Sequence, residues 1–265
     1  MKQTDKSTGI DGVGILPKKT LKDRAKAPKG LWFIDRWEFD EKNREAAEAE
    51  LKLGLSLELA KEKYGEFYKG RVFVGENLLL NEGINALWTL VAGGAETAFN
   101  NGNARLCVGD EVVAAAATQT DLQAVRNKVA WAPTTAYTAG LLRRRTAPTD
   151  ATLAYQECTT GGTSGGTEPT WNETDGATTN DGTVVWTARV RKAYRPMDAT
   201  FPTTGTLQRI TFRSTYGAGD ANFIWNEFSS DNGATPNRNL NRLVSAQGTK
   251  AVGQVWQLTL EITIS

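Results

Sequence analysis

In the closing segment GQVWQLTLEITIS, Trp256, Leu258, Leu260, Ile262 and Ile264 alternate with Val255, Gln257, Thr259, Glu261 and Thr263. A period of two puts one set on each face of a pleated strand, so a half-buried β-strand is expected here. LQRITFRSTYG (207–217) and NFIWNEF (222–228) read the same way, separated by the Gly-rich turn GAGD. RVFVG (71–75) and ARLCVGD (104–110) add two more strands. Short strands divided by Gly, Asn and Pro turns favour an antiparallel arrangement. The expected fold is mainly β: an antiparallel β-sandwich or barrel core with a few helices, an inserted small all-β module and an extended N-terminal arm.

A helical period appears in three places. Asp40 is positioned to cap a helix from Glu41 to about Leu53, Gly54 to end it in the left-handed conformation, and Ser56 to cap a second helix to Tyr64. The leucines at 51, 53, 55, 57 and 59 alternate, which taken alone suits a strand better. Asn77 is predicted to cap a third helix through about Val91, stopped by Gly93-Gly94. Its Leu80, Ile84, Leu87, Trp88 and Val91 fall on one stripe, and Trp88 is expected in the core.

These patterns divide the chain into five parts: a basic arm over 1–30, an aromatic and helical linker over 31–70, core over 71–128, an inserted β module over 129–190, and core again over 191–265. The inserted stretch is rich in Thr and Gly, carries three of the eight tryptophans, and shows no helical period. TTGGTSGGTEP (159–169) reads as a flexible loop within it, and DGTVVWTARV (181–190) as a turn followed by a strand. The arm holds eight basic residues against three acids, and its large apolar residues are few. Alone it buries too little surface to offset its ordering entropy, so it reads as an anchoring arm or as a frayed terminus. The expected anchoring contacts are Lys18, Lys19, Lys22, Arg24, Lys26, Lys29, Trp32 and Trp37.

Composition narrows the chemistry. The net charge is +1, so any electrostatic partner must be met locally. A patch of net +5 on the arm (eight minus three) gives only salt-sensitive, non-specific contact with nucleic acid. No apolar run approaches a membrane span and no secretory leader is evident, so a soluble protein made in a cytoplasm is expected. The chain has no histidine, which excludes Ser-His-Asp and Cys-His catalysis and His-containing zinc sites. Cys107 and Cys158 stand in unrelated contexts and imply no disulfide framework. Carboxylate-only chemistry needs just two acids, and Asp198, Asp220, Glu227 and Asp231 are available, but such acids in a β protein read first as loop and turn residues. No catalytic residue, cofactor or metal is expected.

Two parts of the chain resemble known proteins. The segments ENLLLNEGINALWTLVAGGAETAFNNGNARLCVGD, YRPMDATFPTTGTLQRITFRSTYGAGDANFIWNEFSSDNGAT and LNRLVSAQGTKAVGQVWQLTLEITIS resemble a family of uncharacterised tailed-bacteriophage virion proteins. The insert, through WAPTTAYTAG, AYQECTTGGTSGGTEPTW and GATTNDGTVVWTA, resembles a small β module found in phage tail and fibre proteins. Its first half is also similar to chitin-binding carbohydrate modules, but Leu141, Leu142 and Arg143 to Arg145 follow Gly140 where those modules usually carry Gly-Asp. The resemblance implies a non-enzymatic virion component; the leading expectation is a capsid decoration or neck protein, made in the host cytoplasm, in contact with other phage virion proteins (capsid, neck or tail) and forming a homo-oligomer within the particle. The alternative it leaves open is a tail-fibre or receptor-binding protein whose insert binds host surface glycan. Trp131, Tyr137, Tyr155, Trp171 and Trp186 would then stack on sugar rings; otherwise they form the module's own core.

Overall fold

The computed structural model describes residues 29–205 and 208–263. It opens with β1 (Lys29–Glu38), followed by α1 (Glu41–Lys52) and α2 (Leu57–Tyr64). The Asp40 carboxylate accepts from the Asn43 N–H at 2.8 Å, and Ser56 Oγ accepts from the Leu59 N–H at 3.3 Å. Each satisfies a donor that the first helical turn would leave unpaired. Between the helices Gly54 adopts a φ of +94°, which a side chain would strain. The alternating leucines therefore form no strand: Leu51, Leu57 and Leu59 are helical and Leu53 and Leu55 lie in the turn between the helices, with Leu51 buried and Leu53 and Leu59 exposed.

Next come β2 (Tyr68–Glu76), β3 (Leu78–Leu79), α3 (Asn81–Val91), β4 (Arg105–Gly109) and the one-turn α4 (Gln123–Arg126). The Thr- and Gly-rich stretch holds β5 (Ala136–Tyr137), β6 (Leu142–Arg143), β7 (Ala154–Thr160), β8 (Gly162–Thr163), β9 (Thr178–Asp181) and β10 (Val184–Val190). The chain closes with β11 (Lys192–Pro196), β12 (Thr203–Thr204), β13 (Arg209–Tyr216), β14 (Glu227–Asp231), β15 (Asn239–Val244) and β16 (Gln254–Thr263).

The fold is mainly β and sandwich-like, with antiparallel sheets. One five-stranded sheet has the order β12-β13-β16-β1-β2 and the other β11-β4-β14-β15-β3. Trp32, Ile34, Phe212, Trp256, Leu258 and Leu260 of the first sheet share one core with Leu106, Val108, Phe228 and Leu240 of the second. Trp225 fills the space between them, edge-on to Tyr216 and Trp256 with ring centroids 4.8 Å apart in each pair. The outer face of the first sheet is covered as well: Trp37 and Val255 pack under Ala47 and Leu51 of α1 and Ala60 and Tyr64 of α2.

Several expectations are corrected. β16 is not half-buried: the helical layer covers Val255, and Gln257 and Thr259 on the same outer face are buried as well, with Gln257 Nε2 donating to Thr215 Oγ1 and Asp198 Oδ2. Residues 31–70 are not a linker: β1 is an interior strand paired with both β16 and β2. The strand expected at 222–228 begins at Glu227, and Phe223 and Trp225 enter the core from irregular backbone. Asn77 does not cap α3, since β3 intervenes and Leu80 occupies the cap position without a side-chain bond. The 159–169 loop is partly strand, ending β7 and supplying β8, which pairs with β5.

Candidate functional site

The five aromatics of the insert are inside it. Trp131, Tyr137, Trp171 and Trp186 form one cluster with Cys158 and Val184, and none exceeds 7% exposure. Tyr137 and Trp171 meet the Trp186 ring edge-on. Asp181 fixes the arrangement. Its Oδ2 accepts from Trp131 Nε1 at 2.7 Å and from Trp186 Nε1 at 3.0 Å, while Oδ1 accepts from the Gly165 N–H at 2.7 Å. Tyr155 is also buried, but its hydroxyl donates to Asp110 Oδ2 at 2.9 Å and so joins β7 to the end of β4. A sugar platform at these five residues is therefore corrected: a small module with few large side chains uses them as core.

The expected anchoring tryptophans are likewise internal, with Trp32 in the inter-sheet core and Trp37 beneath the helices, both fully buried. Neither is available to a neighbour. Lys18, Lys19, Lys22, Arg24 and Lys26 lie outside the described residues, and Lys29 begins β1, opposite Thr263.

The outer face of the second sheet carries a paired charged layer. Arg242 and Glu227, both fully buried, meet at 2.7 Å, and Glu227 also accepts the backbone N–H groups of Gln123 and Ala124 at the start of α4. Arg105 forks onto Asp231 through Nε and Nη2 at 2.8 and 2.7 Å. Asp121 receives Lys192 Nζ at 2.8 Å, the Tyr194 hydroxyl at 2.6 Å and Arg126 Nε at 3.0 Å. Lys192 also donates to the Asp150 carbonyl at 3.0 Å, so this buried cation closes the junction where the insert rejoins the core. Burial pushes the Cys107 thiol up, so it behaves as an inert small side chain in this layer.

This geometry answers the four acids read from the sequence. Glu227 and Asp231 stand at opposite ends of β14, about 13 Å apart at strand rise, beyond the ~9.5 Å that inverting glycosidases use. Asp198 is bound by Arg213 Nε at 2.9 Å and by the Thr215 N–H and hydroxyl. Asp220 pairs with Arg195 at 3.3 Å. All four are held in ion pairs, and among the described residues no group of three His, Cys, Asp or Glu side chains is placed to hold a metal. Among these residues no helix is long and apolar enough to cross a membrane.

What the structure leaves unused is on α3. Its inner face is small: Gly83 and Ala86 are buried, and a β-carbon at Gly83 would overlap the Leu240 backbone. The helix is thus seated on β15 at close range. The larger stripe at i, i+3, i+4 and i+7 turns outward instead. Ile84 is half-buried, and Leu87, Trp88 and Val91 are 37%, 65% and 76% exposed. This corrects the expectation that Trp88 is core. The helical period was right, but two apolar stripes compete and the glycine decides which one touches the sheet.

At the start of α3, Glu82 Oε1 accepts the Asn239 N–H at 2.8 Å. Burial pushes this carboxyl up to about 7 from its ordinary 4.5. Between these values the folded chain keeps a proton that the unfolded chain releases, so stability falls as pH rises through that window. Thermal melts are expected to drop from about pH 5 to about pH 8. Glu82→Gln, which keeps the acceptor for Asn239, should flatten part of that drop; an unchanged slope would remove Glu82 from the account.

No protein-family model, curated protein or solved structure matches this chain.

Proposed function

We propose that this protein is a non-enzymatic structural component of a tailed-phage particle, a capsid-decoration or neck subunit, that docks onto a neighbouring virion protein through α3. The observation that carries the reading is the outward stripe of Leu87, Trp88 and Val91 on a helix seated closely on β15 at Gly83. An exposed tryptophan between two exposed aliphatics on one helix face suits a partner's groove, where aromatic anchors contribute most of the affinity. The ion-paired acids support a role without catalysis. The receptor-binding alternative loses its platform, because the insert's aromatics are consumed as core.

The test is a Trp88→Glu, Val91→Ser double substitution in the full chain. Both side chains are exposed, so the melt should stay within about 1 kcal/mol of the parent. Incorporation into assembled particles, read by quantitative blotting of purified phage, is expected to fall at least tenfold. Normal incorporation with a normal melt would refute docking through α3, and particles that lack the parent protein altogether would refute the virion assignment.

A further inference from the structure

The exposed face of α3 carries no charge. From Gly83 to Ala95 there is no Asp, Glu, Lys or Arg, in a chain of which 23% is charged. The acids that flank the run are both engaged. Glu82 accepts the Asn239 N–H at 2.8 Å, and Glu96 accepts from Asn232 Nδ2 at 3.2 Å and pairs with Arg238 at 3.6 Å. At the start of the helix the Asn81 N–H donates to the Ala117 carbonyl at 2.9 Å. The segment reached there, 114–120, is likewise uncharged, and Ala114, Ala116, Thr118 and Thr120 are exposed.

This lack of charge bears on the partner. A two-fold interface sets one patch against an identical patch, so every charge near the axis meets its like, which costs affinity. A charged patch therefore selects a different, complementary protein, whereas an uncharged one pairs with itself without that cost. What remains to give specificity is shape.

The shape of α3 is self-complementary. Trp88 projects from the helix, 65% exposed. One turn further on, about 6 Å along the axis, Ala92, Gly93 and Gly94 are exposed and present at most a methyl group. A β-carbon added at Gly93 would meet nothing within 4 Å, so the space above this turn is open. The same helix end thus holds a large knob and a bare shelf. Turning a second copy antiparallel about an axis near Val91 brings each indole onto the other copy's shelf, with the two Val91 side chains close to the axis.

Resting on the docking reading of α3, we infer that the neighbour it meets is a second copy of this chain, packed antiparallel through Trp88, Val91 and the Ala92–Gly94 shelf. Sedimentation velocity on the full chain, from about 1 to about 100 µM, is expected to show a monomer converting to a dimer. Trp88→Ala should weaken the dimer at least about tenfold, as loss of a central aromatic anchor does. Val91→Glu and Val91→Lys, at a position 76% exposed, should each give a folded monomer by setting like charges together. Mixing these two variants, one of them fluorescently labelled, should restore a mixed dimer. A dimer indifferent to both Val91 variants lies elsewhere on the molecule and overturns the inference. A parent that stays monomeric throughout overturns it too. If the Trp88→Glu, Val91→Ser chain still drops out of particles in that case, α3 docks on a different virion protein and only self-pairing is lost.

Discussion

Replacing Trp186 with Ala is expected to remove roughly 3–5 kcal/mol from the stability of the insert, the usual result of deleting a fully buried aromatic. Trp186 is 0% exposed and contacts Tyr137 and Trp171 at centroid distances of 4.9 and 5.8 Å. The indole N–H is lost as well, leaving Asp181 Oδ2 with one of its two tryptophan donors. A buried carboxylate with fewer donors adds to the penalty. Hydrogen exchange locates the damage. Amides of β7, β9 and β10 should lose protection while β13 and β16 keep theirs, because the insert's cluster is separate from the inter-sheet core. The insert is nevertheless bound to the core at Lys192, Asp150 and Tyr155, so equal loss in both regions would show that these ties make one cooperative unit. An unchanged melt would contradict the structural role assigned to these rings.

The second large effect is expected at Arg242. Its guanidinium holds Glu227 through Nε and Nη2 at 2.9 and 2.7 Å, with both side chains fully buried. Removing one partner of such a pair costs about 3–5 kcal/mol, because the other charge is left without compensation. Arg242→Met fills much of the volume and isolates that electrostatic loss. The loss should depend on pH. Burial already pushes the Glu227 carboxyl up to about 7, against the opposing pull of Arg242 and two backbone N–H groups. Without Arg242 its folded pKa rises further, so the folded state retains a proton across a wider range above 4.5 and the variant weakens as pH increases. Denaturant midpoints should therefore separate more at about pH 8 than at about pH 5. Adding Glu227→Gln to Arg242→Met should restore part of the stability at pH 8. A pH-independent deficit would assign the role of Arg242 to packing and to its bonds with the Val113 carbonyl and Gln119.

Local chemistry was legible in the sequence wherever neighbours in the chain settle the outcome. Asp40 and Ser56 cap their helices because a short oxygen-bearing side chain reaches donors only two or three residues away. The alternation in β16 separates Trp256, Leu258 and Leu260 from Gln257 and Thr259 because successive residues on a strand point to opposite faces. From such signals a mainly β, sandwich-like fold with a few helices could be read directly. The turn at Gly182 before β10 followed from the same local rules.

Only tertiary structure decided which faces are covered and by what. Periodicity reports that a stripe is apolar, not whether something packs on it. Trp88 and Trp32 are equally apolar in the sequence, yet Trp32 lies between two sheets and Trp88 faces solvent, because Gly83 brings the other side of α3 onto β15. The outer face of β16 is buried at Val255 because α1 and α2, distant in sequence, pack over it, and at Gln257 through its bonds to Thr215 and Asp198. The charged layer joins Asp121, Lys192, Glu227 and Arg242 from four separate segments, and each pairing spans a separation that no local pattern encodes. The fate of the insert's aromatics is of the same kind. Their residue types allow core or platform, and the choice fell to Asp181, which draws two indoles inward from positions fifty and five residues away.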